Sequence, residues 1–376
     1  MARKGLFSYY RQFEGMSERE VNAQLKEAAD ERRQKALSRV EPLDLTQTTW
    51  PEVPHPAIVG AITFAARRGL HRYVDRAAGE LRSEVAHRHG VPEDRVAVGD
   101  GAAQLLSSAI TALMEPGDEL VTPWPSYPLY PLAARRARGV AVPVAGHDVD
   151  AVLAAVNDRT RVVCLCNPND PTGELVGVGD LARLARALPE RVVLLVDEAL
   201  RDHVDAEPAD ATLPLLGEHP RILLFRTFSK AWGLAGLRCG YALGGPGAEE
   251  LLDQLMPELG VDELAQAGCT EALRHHADLP ARRRDRLAPL RARLLEELRA
   301  RELDVAPSQA NVVWLAPPGG DDAGVAVATA LDRQGVRVGS GAQLGAPDRL
   351  RLVVPVREPD LERLLRALDV ALGRAA

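Results

Sequence analysis

The chain has 376 residues, 46% apolar and 26% charged, with a net charge of −7. That length supports a sizeable core and exceeds one ordinary domain, so two lobes are expected, and the composition excludes wholesale disorder. No run of about 18 apolar residues is present to span a bilayer. The acidic balance, without a basic run interleaved with aromatics, speaks against nucleic acid and leaves small molecules as the expected partners. Cys164, Cys166, Cys239 and Cys269 form no CxxC pair, which argues against a disulfide framework and a structural zinc site. With no secretory apolar stretch after Met1, a cytoplasmic protein is expected.

Ser17-Glu18-Arg19-Glu20 reads as a capping box opening a helix to about Ser38, whose apolar stripe of Val21, Leu25 and Ala28 or Ala29 is narrow enough to require support from its own lobe or a partner subunit. The proline-rich stretch Glu41 to His55 reads as an extended loop. From Ile58 to Gly245, β-branched runs alternate with helical spacing. The candidate strands are Val96–Val98, Glu119–Thr122, Val140–Val144, Val162–Cys166, Val192–Asp197, Ile222–Thr227 and Tyr241–Leu243, with helices such as Ala103 to Met114 and Asp180 to Leu188 between them. This alternation predicts an α/β fold, a mostly parallel seven-stranded sheet between helices. Beyond Glu249 the pattern predicts helices over Ala248–Leu259 and Leu287–Arg301. Strand Asn311–Leu315, helix Ala323–Gln334, strand Leu350–Val354 and helix Asp360–Leu372 follow. The expected division is a helical arm over 1–45, a large unit over 46–247 and a small α+β unit over 248–376.

In a parallel sheet, ligands sit beyond the carboxyl ends of the strands. Asp197 ends a buried apolar run, where a carboxylate needs a cation or a protonated nitrogen. Only four of the 46 basic residues are lysines, three of them in the first 35 residues, so any amine chemistry in the body of the chain falls to Lys230. Partial burial lowers a lysine's pKa and makes the amine nucleophilic, as imine formation requires. Asn167-Pro168-Asn169-Asp170-Pro171-Thr172-Gly173 is a rigid turn after a third strand. Gly99-Asp100-Gly101-Ala102-Ala103-Gln104 leads a strand into a helix whose free amides suit a phosphate.

The Asn-Pro-Asn-Asp-Pro-Thr-Gly turn, Asp197-Glu198-Ala199, and Ser229-Lys230 followed eight residues later by Arg238 occur in this order. From roughly Asp44 to the C-terminus the chain resembles fold-type I pyridoxal-phosphate enzymes, and within them the histidinol-phosphate aminotransferases and their class I/II relatives. The resemblance implies pyridoxal 5′-phosphate held by Lys230 as a Schiff base, with Asp197 keeping the pyridine nitrogen protonated. It implies that Thr227, Ser229, Arg238 and the Ala102 and Ala103 amides bind the phosphate, and that Tyr127 stacks on the ring. Tyr73 would reach the phosphate of a second subunit in a homodimer, and Arg351 would hold the substrate carboxylate.

The chain departs from that pattern at three places. Asp170 and Leu200 stand where relatives carry an asparagine and a tyrosine that donate to the cofactor's phenolic oxygen, so a Schiff base that holds its proton more tightly is expected. Gly339 follows Gly335-Val336-Arg337-Val338 where histidinol-phosphate enzymes carry an arginine, and Arg337 falls on the opposite side of the strand. Trp50 and Trp124 are pocket candidates by proximity alone, Cys164 and Cys166 read as core, and His203 reads as solvated. Transamination of an amino acid or related amine is the leading expectation. A decarboxylase or lyase of the threonine-phosphate decarboxylase type and a cofactor-binding regulator without turnover are the alternatives.

Overall fold

The structure is a computed structural model that describes residues 41–374 together with Ser17, Arg19, Glu20, Ala23 and Lys26. The capping box is formed, with the Ser17 hydroxyl donating to Glu20 at 2.7 Å; the remainder of the helix expected to Ser38 lies outside the described residues.

Seven strands build the larger sheet: β2 (Val96–Gly99), β3 (Glu119–Trp124), β4 (Val140–Ala145), β5 (Thr160–Cys166), β6 (Val193–Asp197), β7 (Ile222–Thr227) and β8 (Gly240–Gly244), in the order β2-β8-β7-β6-β5-β3-β4. Only β8 runs antiparallel to its neighbours, so the carboxyl ends of the other six lie along one edge. Alternate residues feed two cores. Leu165, Val196 and Leu224 pack on one face, and Cys164, Leu195 and Phe225 on the other. Cys164 and Cys166 share this second face, both buried. Burial on both faces explains the continuous apolar runs of the inner strands, while β4 at the edge is partly exposed.

The second sheet takes β1 (Leu43–Leu45), β9 (Asp304–Val305), β10 (Val312–Ala316), β11 (Val336–Ser340) and β12 (Leu350–Val353) in the order β1-β11-β12-β10-β9. The stretch read as a loop thus contributes a strand. Leu43 pairs in parallel with Val336, and its N–H donates to the Gly335 carbonyl at 2.9 Å. Three residues are too short to show alternation, and the pairing partner lies almost 300 residues away.

The long helix starts at Leu279 rather than Leu287, and its Leu287, Leu290, Leu294 and Leu298 form the stripe buried beside this sheet. A helix over Glu263–His275, which the sequence reading did not separate out, is capped by Asp262. Its buried face consists of small residues, Ala265, Gly268, Cys269 and Ala272, too weakly apolar to stand out as a stripe. They are small because the helix over Pro56–Gly69 comes close: a Cβ on Gly268 would lie 2.9 Å from Ile62.

Candidate active site

Four neighbouring strands deliver the expected residues to one edge. Asp197 ends β6, Asp170 lies in the turn after β5, Lys230 follows β7, and Tyr127 follows β3. The helix beginning at Ala102 follows β2. Ala102, Ala103, Tyr127, Asp170, Asp197, Thr227, Ser229, Lys230 and Arg238 line a single cavity of about 200 Å³.

At the phosphate-like end, the helix over Ala102–Leu113 has no side-chain cap, leaving first-turn amides without intrahelical partners. Two glycines make room there. Gly101 has φ +90°, and a Cβ on it would lie 2.9 Å from the Arg238 guanidinium; one on Gly240 would lie 2.4 Å from the Ala102 nitrogen. Arg238 itself has φ +49°, a left-handed conformation disfavoured for a residue with a Cβ. It donates to Ser229 Oγ at 3.4 Å, and the Thr227 and Ser229 hydroxyls lie 3.0 Å apart.

Asp197 is only 4% exposed, and among the described residues no cation lies within ion-pair distance of it. Tyr130 OH donates to its Oδ2 at 2.8 Å and the Ala199 N–H to its Oδ1 at 3.0 Å. Burial raises its pKa, with these two donors and the Lys230 charge opposing the rise. Burial likewise depresses the Lys230 pKa, against the attraction of Asp170. Lys230 Nζ donates to Thr48 Oγ1.

The turn after β5 is held by its asparagines. Asn167 exchanges hydrogen bonds with Val176 through its side chain, and Asn169 accepts from Ser126 at 2.7 Å while donating to the Pro125 carbonyl at 3.0 Å. This lashing leaves Asp170 facing the cavity. Its partner there is Arg351 of β12, whose Nη1 donates to Asp170 Oδ1 at 2.9 Å. Arg351 therefore adjoins the cavity through Asp170 instead of lining it.

Tyr73 stands apart, 95% exposed, and does not line the cavity of its own chain. Leu200, the donorless replacement, does line it. Gly339 lies in register opposite Arg351, while Arg337 is exposed and donates to Asp332 at 3.3 Å. Neither tryptophan reaches the cavity. Trp50 lies under the Arg283 guanidinium, 4.9 Å from its ring centroid, and Trp124 donates to the Leu344 carbonyl at 3.1 Å. His203, read as solvated, is buried, because the turn over Arg201–His203 packs against the long helix, and Arg291 of that helix donates to the His203 carbonyl at 3.0 Å.

The residues that sequence reasoning missed are Tyr130, Thr48 and Thr49. Tyr130 lies three residues beyond Tyr127, in the first turn of the helix over Leu129–Arg136, and their rings meet edge-on with centroids 5.8 Å apart. Thr48 was out of reach of the sequence, because its place depends on Asn311 donating to its carbonyl at 2.9 Å from 263 residues away.

A family model described as aminotransferase class I and II matches residues 36–368. An aromatic amino acid aminotransferase of Cutibacterium acnes is 35% identical over 327 residues, covering 86% of this chain and 90% of the relative. One of Mycobacteroides abscessus is 38% identical over 303 residues, covering 77% of this chain and 86% of its own length. The crystal structure of histidinol-phosphate aminotransferase from Sinorhizobium meliloti in complex with pyridoxal-5′-phosphate superposes with a TM-score of 0.79 at 26% identity, covering 92% of this chain and 94% of that one.

Proposed function

The chain belongs to the class I and II aminotransferases, fold-type I enzymes that use pyridoxal 5′-phosphate to transaminate amino acids, and from that premise we propose the individual roles of the residues around the cavity. The donor set fits the cofactor. An uncapped helix start beside Arg238 suits a phosphate, and a buried carboxylate with no cation at ion-pair distance among the described residues suits a protonated ring nitrogen. When bound, the cofactor supplies an aldehyde that condenses with amines and a ring that withdraws electrons from the substrate carbon.

Lys230 Nζ would hold the cofactor and would carry the proton to and from the substrate carbon. Its depressed pKa favours the neutral amine that both tasks need. Asp197 would hold the protonated ring nitrogen, with Tyr130 and Ala199 fixing the carboxylate's orientation. Ala102, Ala103, Thr227, Ser229 and Arg238 would bind the phosphate, Tyr127 and Asp170 would contact the ring and its phenolic oxygen, and Arg351 would take the substrate carboxylate. An aromatic amino acid is the proposed donor, since the curated relatives carry that name, with a 2-oxo acid as acceptor. All four cysteines are free thiols, which suits a reducing compartment, and we place the enzyme in the cytoplasm. Among the described residues no helix is long and apolar enough to cross a membrane.

The observation that carries this reading is the convergence of Lys230, Asp197 and Arg238 on one cavity. The test is the visible absorbance spectrum with a panel of amino acids. The wild type is expected to show a cofactor band that an aromatic amino acid converts to the pyridoxamine form with release of the matching oxo acid, and Lys230→Ala to show no turnover. A band that persists while carbon dioxide or ammonia appears rejects transamination.

The enzyme is further proposed to act as a homodimer in which Tyr73 of one copy reaches the phosphate of the other. Phe64, Leu70 and Tyr73 are largely exposed on one stretch of chain, and exposed Leu259 is drawn beside it where Gly260 packs on Arg76. Apolar side chains gathered in this way mark an interface. Phe64→Glu is expected to sediment as a monomer and to lose cofactor; a variant that remains dimeric refutes this placement.

A further inference from the structure

Arg351 is committed before any substrate arrives. Its Nη1 donates to Asp170 at 2.9 Å and its Nη2 to the Thr46 carbonyl at 2.5 Å. The Asp170 side chain is 14% exposed, so little water weakens the pair. Gly339, opposite Arg351 in the sheet, leaves room for this arrangement: a Cβ added there would lie 3.3 Å from Arg351 Nε.

A carboxylate that takes Arg351 through both terminal nitrogens must share Nη1, which carries two N–H donors, with Asp170 or displace it. Either way two carboxylates come side by side on one guanidinium, and like charges in a partly closed site repel. Relatives carry an uncharged asparagine at this position according to the resemblance above, and an amide neither neutralises the arginine nor repels the incoming anion.

We propose that Asp170 is a specificity-determining residue that competes with the substrate carboxylate for Arg351. The inference rests on the reading that Arg351 receives that carboxylate. An aspartate there discounts the carboxylate, which every amino acid shares, and shifts discrimination onto the side chain. Amino acid and oxo acid carry the same carboxylate, so the discount applies to substrate and product alike and appears in KM more than in kcat.

The test is calorimetric titration of the holoenzyme with hydrocinnamate, an unreactive aromatic carboxylate, and with its neutral amide, in wild type, D170N, R351Q and the double variant. D170N is expected to bind the carboxylate at least tenfold more tightly while its affinity for the amide stays unchanged, and the gain is expected to vanish in the double variant. Unchanged or weaker carboxylate binding in D170N overturns the proposal, and so does a gain shared by the amide, which would mark pocket shape instead of charge. If R351Q weakens the carboxylate but D170N does not tighten it, the competition alone fails. If R351Q leaves carboxylate affinity unchanged in both backgrounds, the assignment of Arg351 fails with it. Asp170→Ser, which removes the charge with a smaller side chain, replaces D170N should the latter not fold.

Discussion

Asp197 and Glu198 are consecutive carboxylates at the end of β6, and both are almost completely buried, yet the chain treats them in opposite ways. Glu198 accepts from Arg226 Nε at 2.8 Å and from the Thr212 hydroxyl at 2.7 Å, and Arg226 also pairs with Asp210. Arg201 stands within 4.0 Å of Glu198 and completes the cluster through Glu207. Among the described residues, Asp197 meets only a phenol and one amide. A buried charge is tolerable when its counter-charge is at hand, and costly when it is not. The side of the sheet where the chain supplies the counter-charge is architecture; the side where it withholds one is where a ligand must bring it.

Substitutions can break this contrast, and the largest effect is expected at Asp197. Asp197→Asn retains shape and the Tyr130 contact but loses the anion, so kcat/KM should fall by about 10²–10³-fold. The thermal stability of the cofactor-free protein should hold or rise, because a buried carboxylate without a cation disappears. A clear loss of stability would show that Asp197 is structural as well.

Glu198→Gln should do the reverse. Cutting one member from the buried network leaves Arg226 with Asp210 alone, and about 3 kcal/mol of stability should be lost, as read by urea denaturation. The cofactor absorbance of whatever protein remains folded should be unchanged. A spectrum that shifts instead would mean that the two carboxylates are not separable.

The smallest effect sharpens the contrast at a third buried group. Among the described residues neither His203 ring nitrogen has a hydrogen-bond partner, and burial with the nearby Arg291 charge depresses its pKa from 6.5 to about 3. The folded state therefore binds this proton less readily than the unfolded one, and stability present above pH 6.5 is lost as the pH falls toward 3. Between pH 7.5 and pH 5 the wild type should lose about 2 kcal/mol more than His203→Leu. Equal losses in denaturation experiments at the two pH values would remove His203 as an acid-sensitive point.

Much of this was legible from residue order alone. The inner strands announced themselves because they are buried on both faces, which forces runs such as Val193–Asp197 and Ile222–Thr227 to be apolar almost without interruption, whereas the edge strand β4 is partly exposed. Lys230 stood out by scarcity, and Asp197 by interrupting an apolar run. Tyr130 was overlooked although it stands three residues past Tyr127, because a buried tyrosine at the start of a helix gives no pattern that sets it apart. His203 was misplaced because its polar neighbours Arg201 and Asp202 suggested solvent, whereas Arg201 is itself buried and spent on Glu207 and two carbonyls.

By itself, then, the sequence determined the α/β sheet, the strand-end positions of Asp197 and Lys230, and the family to which they belong. Only the tertiary structure decided how residues 43–49 are used. There Leu43 joins the second sheet, the Thr46 and Thr48 carbonyls accept from Arg351 and Asn311, and the Thr48 hydroxyl meets Lys230. It also decided that Asp170 and Arg351, separated by 181 residues, form one ion pair. Periodicity records which side of an element is buried, a local property written every two or four residues. The identity of a partner across a cavity is set by how separate elements pack, and nothing in the spacing of either residue encodes it.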